Sequence, residues 1–459
     1  PGAILSALLP NEIKNETVAI VIGRARAQPA RVPTHEILRA PQDARILAYQ
    51  KIIRASFERE ESVVLVVPTI EDGEFLFSVL RTEIPEQAYL LHSGLGARAL
   101  SLAYKKLTRE NRPILIIATP SRAFLTREDV GTIILERSRS SAYRARSRPY
   151  IDFRHALLVQ ARACGARLIT ADTLLRTEDE FLLREKRAIP FDDQHPKRLT
   201  LPGTLQTILL KNKSDGQTNF ALFSPVLLKK IAETRATEGR IFLFSARRGL
   251  APIVACADCG TILRCPESGS PLSLQRFVRD GVEERWLVSS VSGYKRKADN
   301  LCAHCGSWRL RSRGIGIQQV YDELVQHFGS DGIFLFDHHT ASTHKKATTI
   351  RDAFYRQKKA ILVGTALALP YLYTPMQMSA VVSMETLRAI PSWRQQEEAL
   401  GILLTLREKT VGFVFVQTRT ENDDVVQYAE SATTEAYYTG ELATRKQLAY
   451  PPFCVFIHL

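Results

Sequence analysis

No apolar run in the chain comes near the roughly 18 residues that a membrane-spanning helix needs. The longest, such as Val63-Val64-Leu65-Val66-Val67, have the length of buried strands. No membrane partner is expected. The chain opens Pro1-Gly2-Ala3-Ile4, without Met or a basic-then-apolar leader, so no secretory signal is expected and the cytoplasm is the expected compartment. Acid is short: 48 Asp+Glu stand against 62 Lys+Arg, a formal net charge of +14, which favours a polyanionic partner such as nucleic acid. Cysteine is sparse and odd in number, seven in 459 residues, which argues against a disulfide framework in a reducing compartment. With 24 Gly, 22 Pro and 45% hydrophobic residues, collagen-like and globally disordered classes are excluded. The length suggests about three domains.

What is present is an alternation. Short β-branched runs at Val63 to Val67, Ile114 to Ala118, Thr132 to Leu135 and Arg167 to Ala171 form one group. Ile241 to Phe244, Ile333 to Phe336, Ile361 to Gly364, Ala380 to Ser383 and Phe413 to Gln417 form another. Amphipathic stretches lie between them, among them Pro41 to Arg59, Arg98 to Leu107, Phe153 to Cys164, Lys345 to Gln357 and Gln395 to Glu408. Continuous apolar strands separated by helices predict α/β architecture with parallel sheets covered on both faces. Thr200 to Thr218, rich in Lys, Gly and Thr, reads as the connection between two lobes. Cys256 to Trp308 has no sustained period and reads as an insertion in the second. Ile4 to Val32 reads as β-structure.

Cys256-Ala-Asp-Cys259-Gly260 and Cys302-Ala-His-Cys305-Gly306 are two knuckles, each offering two thiolates to one metal ion. Together they predict a tetrahedral four-sulfur site suited to one structural Zn²⁺; a redox pair and free thiols are the other readings. Between them, Cys265-Pro-Glu-Ser268-Gly269 and Ser289-Ser-Val-Ser292-Gly293 keep the knuckle shape with serine in three of four ligand positions. Serine hydroxyls are poor zinc ligands, so this reads as a second site that has decayed, with Cys265 holding no metal. Cys164 and Cys454 are expected to be small buried side chains.

The order of features resembles the primosomal protein N′ (PriA-type) family, replication-restart DNA helicases of superfamily 2. Phe242-Leu-Phe-Ser-Ala-Arg247-Arg248-Gly249-Leu-Ala-Pro252 leads directly into the first knuckle; Val363-Gly364-Thr365, Ile390-Pro391-Ser-Trp393-Arg394 and Arg445 to Phe453 follow in the family's order. Leu91-His92-Ser93-Gly94-Leu95 and Arg148-Pro149-Tyr150 precede it. The resemblance implies a remnant of an N-terminal DNA-binding module over 1–33 and a RecA-like lobe over 34–200. It implies a second RecA-like lobe over 201–420 with a zinc-binding insertion at 253–310, and the start of a C-terminal domain over 421–459. It also implies DNA as partner, forked or single-stranded, with primosome or replisome proteins beside it, and ATP with Mg²⁺ between the lobes in active relatives.

The motor chemistry is eroded. Phosphoryl transfer needs a backbone cradle with Lys, a carboxylate for Mg²⁺, a carboxylate for water and an arginine for developing charge. No Gly-x-x-x-x-Gly-Lys-Ser/Thr occurs, and the stretch before Val63 reads as a plain helix. The family's acidic box reads Glu136-Arg137-Ser138-Arg139, its Gly-Ser-Ala-Thr-Pro tag reads Thr170-Ala171-Asp172-Thr173-Leu174, and its arginine-rich sixth motif reads Leu404-Thr-Leu-Arg407-Glu-Lys-Thr410. Glu136 and Arg407 are the vestigial catalytic candidates, and Gly364 with Thr365 the candidates for lining a nucleotide pocket. Loops left out of the sequence would account for a missing cradle but not for Arg137. For DNA, Arg139, Arg144, Arg146 and Arg148 lie near Tyr150, and Lys295, Arg296, Lys297, Arg309 and Arg311 flank the second knuckle. Arginines grip phosphates and aromatic faces stack unpaired bases, although a run of charge is equally what a solvated face carries. His338-His339 reads as surface loop. The expected function is a DNA-binding replication-restart factor whose ATPase is lost. An active 3′-to-5′ ATP-dependent helicase and a protein-interaction scaffold stand beside it.

Overall fold

The computed structural model describes residues 33–456 except 125–126, 146, 194–195, 211–221, 247–252, 257, 259–260, 262, 267–271, 280–281, 290–293, 299–300, 303, 314–315 and 389–391. The N-terminal remnant read at 1–33 thus lies almost wholly outside the described residues. The chain divides into two units, one running to Thr200 and resuming at Ala432, the other spanning Leu201–Ser431.

The first unit runs β1 (His35–Arg39), α1 (Gln42–Glu58), β2 (Ser62–Val66), α2 (Ile70–Leu80), β3 (Ala88–Leu91), α3 (Ala97–Arg109), β4 (Leu115–Ala118), β5 (Val130–Glu136), α4 (Phe153–Cys164), β6 (Arg167–Asp172), α5 (Thr177–Arg184) and β7 (Ile189–Pro190). Its seven strands lie in the order β3-β4-β2-β5-β6-β1-β7, and their pairings are parallel. Strands β2, β4 and β5 are buried at every position, because helices cover both faces. Val64, Val66, Ile116 and Ile133 enter one core, while Val63, Leu65, Ile117 and Ile134 enter the other. Local signals fix the helix ends: Thr69 accepts from the Asp72 N–H at the start of α2, Asp152 accepts from Arg154 at the start of α4, and Gly165 at φ 64° closes α4.

The second unit runs β8 (Thr204–Leu209), α6 (Pro225–Ala236), β9 (Ile241–Phe244), β10 (Ile253–Cys256), β11 (Ser273–Arg279), β12 (Val282–Val288), β13 (Lys295–Lys297), β14 (Leu310–Arg313), α7 (Ile317–Phe328), β15 (Ile333–Phe336), α8 (His344–Arg356), β16 (Ile361–Gly364), β17 (Met376–Val381), α9 (Met384–Arg388), α10 (Gln395–Glu408), β18 (Thr410–Thr418) and α11 (Asp424–Ser431). Six parallel strands order as β15-β16-β9-β17-β18-β8. Both units are RecA-like parallel-sheet lobes, and the second carries the cysteine-bearing insertion as two small antiparallel sheets, β10-β14 and β11-β12-β13.

Two expectations change. Thr200 to Thr218 is not purely a connection, since its Thr204–Leu209 part is β8, the edge strand beside β18. Its alternating exposure hid it from a search for continuous apolar runs. The stretch read as the start of a C-terminal domain, 421–459, is shared between the two units, which part at Ser431 and Ala432. Helix α11 belongs with the second lobe, and α12 (Glu435–Gln447) with the first. There the buried Arg445 pairs with Glu441 at 2.7 Å and approaches Glu178 of α5 at 3.7 Å, while the Tyr438 hydroxyl donates to the Leu175 carbonyl at 2.9 Å. No helix among the described residues is long and apolar enough to cross a membrane.

Candidate functional site

In open parallel sheets ligands sit beyond the carboxyl ends of the strands. In the first lobe those ends are Arg39, Glu136 and Asp172, on strands β1, β5 and β6, which lie in the order β5-β6-β1. The connection from β1 to α1 is Ala40-Pro41 alone. Two residues, one of them without an N–H, cannot wrap a phosphate.

The space is closed from inside. Residues Arg45, Tyr49, Ile52, Ile53 and Ser56 form the buried stripe of α1. Arg45 stands at its head, 1% exposed, and reaches Glu136, 3% exposed. Its Nε donates to Glu136 Oε2 at 3.0 Å and its Nη2 to Oε1 at 2.8 Å. Its Nη1 donates to the Ala40 carbonyl at 2.6 Å and to Thr173 Oγ1 at 2.7 Å. The Tyr49 hydroxyl donates to Glu136 as well. Burial, reinforced by the Glu136 charge, holds that phenol well above its ordinary value, so it stays a donor. A bidentate guanidinium and a phenol therefore engage both oxygens of the Glu136 carboxylate.

The flanking groups are compensated in the same way. Arg137, at φ 49°, pairs with Asp72 at 2.7 Å. Asp172 accepts from the N–H groups of Arg139 and Thr173 at 3.0 and 2.8 Å. Its pKa is raised by burial, against the opposing pull of Arg139 and Arg45. Sequence reasoning named Glu136 but missed Arg45. The readable signal was a cation on an otherwise apolar helical stripe.

In the second lobe, Arg407 donates from Nε to the Gly203 carbonyl at 2.8 Å and from Nη1 to the Glu430 carbonyl at 3.0 Å. It ties α10 to the lead of β8 and the end of α11. Gly364 is buried at the end of β16, where a Cβ would lie 2.8 Å from both the Ala368 Cβ and the Phe242 ring. Thr365 accepts from the Leu367 N–H at 3.3 Å and opens a 3-10 turn over Ala366–Tyr371.

The insertion keeps a metal-ligand constellation. Cys256, Cys302 and Cys305 bring their sulfurs within 4.8 Å of one another, with Cys256 and Cys305 at 3.5 Å. Sulfurs around one zinc at 2.3 Å lie about 3.8 Å apart, so the donors fit the ion; Cys259 lies outside the described residues. The Gly306 N–H donates to the Cys302 carbonyl at 2.8 Å with Gly306 at φ 71°, the tight turn a knuckle needs. Asp258 links the knuckles through Arg309 at 2.9 Å. Cys265 instead packs with Val254, Leu263, Leu272 and Leu287.

The arginine run does not form one surface. Arg139 is half-buried, and Arg144 is exposed and approaches Asp152 at 3.6 Å. Arg148 and Tyr150 are exposed; Arg146 lies outside the described residues. By the second knuckle Lys295 is exposed, Arg296 half-buried and Lys297 paired with Glu284 at 2.8 Å; the Arg311 side chain lies outside the description. His338 and His339 are exposed as expected, and His339 meets Gln275 of β11 at 3.1 Å. Cys164 is exposed and Cys454 half-exposed, against expectation. Cys164 ends α4 beside Gly165, past the helix's buried stripe.

The chain is 24% identical over 413 residues to Replication restart protein PriA of Bacillus subtilis, covering 88% of this chain and 50% of that protein. It is 22% identical over 423 residues to the protein of the same name from Chlamydia muridarum, covering 89% and 55%. It is 22% identical over 410 residues to that from Helicobacter pylori, covering 88% and 62%. The chain thus spans about half to three fifths of the length of these curated relatives. No family model matches it. Among solved structures, S. cerevisiae Dbp5 bound to RNA and ADP BeF3 has a TM-score of 0.48 at 9% identity, over 91% of this chain and 89% of that one.

Proposed function

We propose that this chain is a divergent PriA-type protein of superfamily 2, as its similarity to Replication restart protein PriA sequences supports, and that it is a cytoplasmic, DNA-binding replication-restart factor that keeps a helicase scaffold without the motor. One observation carries the loss of the motor: the buried Arg45–Glu136 ion pair, closed by Tyr49, beside a two-residue strand-to-helix junction. The groups that would meet phosphate and Mg²⁺ are satisfied by each other. Opening them exposes an uncompensated buried charge.

DNA as ligand is supported by the +14 net charge and by exposed Arg144, Arg148, Tyr150 and Lys295. Cys256, Cys259, Cys302 and Cys305 would hold one structural Zn²⁺, which fixes the insertion and does no chemistry. The reading takes residues 34–200 and 201–420 as the helicase lobes, 253–310 as the zinc module, and primosome proteins as further partners.

The test is forked-DNA binding and ATP turnover measured on one preparation. Binding is expected to weaken steeply with salt and to need no MgATP, with turnover at background whether or not DNA is present. DNA-stimulated turnover abolished by Glu136→Gln would establish an active helicase instead. Binding indifferent to salt would establish a scaffold for proteins.

A further inference from the structure

We propose that the outer face of α3 in the first lobe is a docking ridge for the phosphate backbone of a duplex arm of DNA. This rests on the DNA-binding reading above and adds a surface that neither the sequence tags nor the candidate site includes.

Helix α3 reads ARALSLAYKKLTR and contains no acid. Leu100, Tyr104 and Leu107, at helical spacing, enter the core. On the other side Arg98, Leu102, Lys105, Lys106 and Arg109 are exposed. At about 100° per residue, Arg98, Leu102, Lys105 and Arg109 fall on one line, and at 1.5 Å per residue the line is about 16 Å long. That length faces about five phosphates of one strand, which follow each other every 3.4 Å along the duplex axis.

Helix stability explains only part of this row. Lys106 and Arg109 lie in the last turn, where cations suit the helix dipole. Arg98 lies in the first turn, where the dipole disfavours a cation and where no acid is present. Its place there is explained by a ligand that runs the whole length of the helix. The partner's form follows from what the face lacks. The helix's aromatic, Tyr104, is buried, so no ring is offered on which an unpaired base could stack. Leu102, 56% exposed in mid-row, offers only an apolar contact to sugar. A regular backbone of stacked duplex fits such a row; a single strand with splayed bases gains little from it.

The test uses the full chain with a duplex and a single strand of equal length over a range of salt. The ridge variant is Arg98→Glu/Lys105→Glu/Arg109→Glu, with Arg98→Gln/Lys105→Gln/Arg109→Gln as the milder form. Lys51→Glu/Lys186→Glu/Lys229→Glu, exposed positions on other elements, matches the charge change. For duplex, the ridge variants are expected to flatten the slope of log K against log salt by about 2 to 3, since each phosphate contact contributes about 0.9, and to lose about tenfold or more in affinity at low salt. Single-strand binding should fall no further than in the control. Ridge and control variants that behave alike on duplex, or a single strand weakened as much as the duplex, would overturn the proposal and leave the DNA reading standing. Wild-type protein that binds neither DNA but binds anionic vesicles through the same residues would overturn both.

Discussion

The carboxyl end of the first sheet and the cysteine module arrange their polar groups in opposite ways. In the first, the charged groups remain but face each other: Arg45 holds Glu136, Arg137 holds Asp72, and Asp172 is capped by backbone N–H groups. In the module, three sulfurs from two knuckles converge on one point, with the β10-β14 pairing and the Asp258–Arg309 ion pair beside them. In the first region unlike charges compensate one another; in the second, donors of like chemistry stand together, as they do around a metal ion. In the stretch between the knuckles, Cys265 packs as a core side chain.

The sharpest way to break the contrast is to remove the metal. One zinc per chain is expected, and Cys302→Ala or chelation should release it at the expense of the module's fold, since binding energies at such sites run to about 10 kcal/mol. Hydrogen exchange should then rise in β10 to β14 and stay unchanged in the first lobe. Two zinc equivalents would show that the Cys265 half still binds.

Next in size is Arg45→Met. It strands Glu136 in the core and should cost about 3–5 kcal/mol in chemical denaturation, most of it recovered in Arg45→Met/Glu136→Gln. A loss below about 1 kcal/mol would mean that Glu136 finds water or a cation, and so is not sealed.

Acid separates the two regions more gently. His35 on β1 meets Thr170 at 2.8 Å, and burial, helped by Arg176 and Arg162, pulls its pKa from 6.5 down to about 4. The folded state then binds fewer protons than the unfolded one between those values. Stability is full above pH 6.5 and falls by about 3 kcal/mol as pH drops to about 4. His35→Gln should flatten that slope. Chelated protein should retain the His35 slope, since that residue lies in the first lobe.

How much of this was legible in the sequence follows the same line. Strands β2, β4, β5, β9 and β16 are buried along their length and announced themselves as apolar runs. Strand β1, HEILR, did not, since its charged ends are satisfied by distant partners: Glu36 by Arg167, and Arg39 by the Pro196 carbonyl. The knuckles were legible because two thiols at fixed spacing carry their chemistry locally. The lock on Glu136 was not, since its arginine lies 91 residues away and meets it only once β1 and β5 share a sheet. Helices α5 and α12 escaped for a related reason: the buried Arg445 of α12 sits between Glu441 of its own helix and Glu178 of α5, a partner 267 residues away in sequence.

The most direct test of the central claim is a calorimetric titration of the DNA-bound protein with a non-hydrolysable ATP analogue and Mg²⁺. Arg45 in place on Glu136 predicts no saturable binding and no rise in the unfolding temperature of the first lobe. One equivalent of nucleotide bound per chain, and lost in Glu136→Gln, would contradict it.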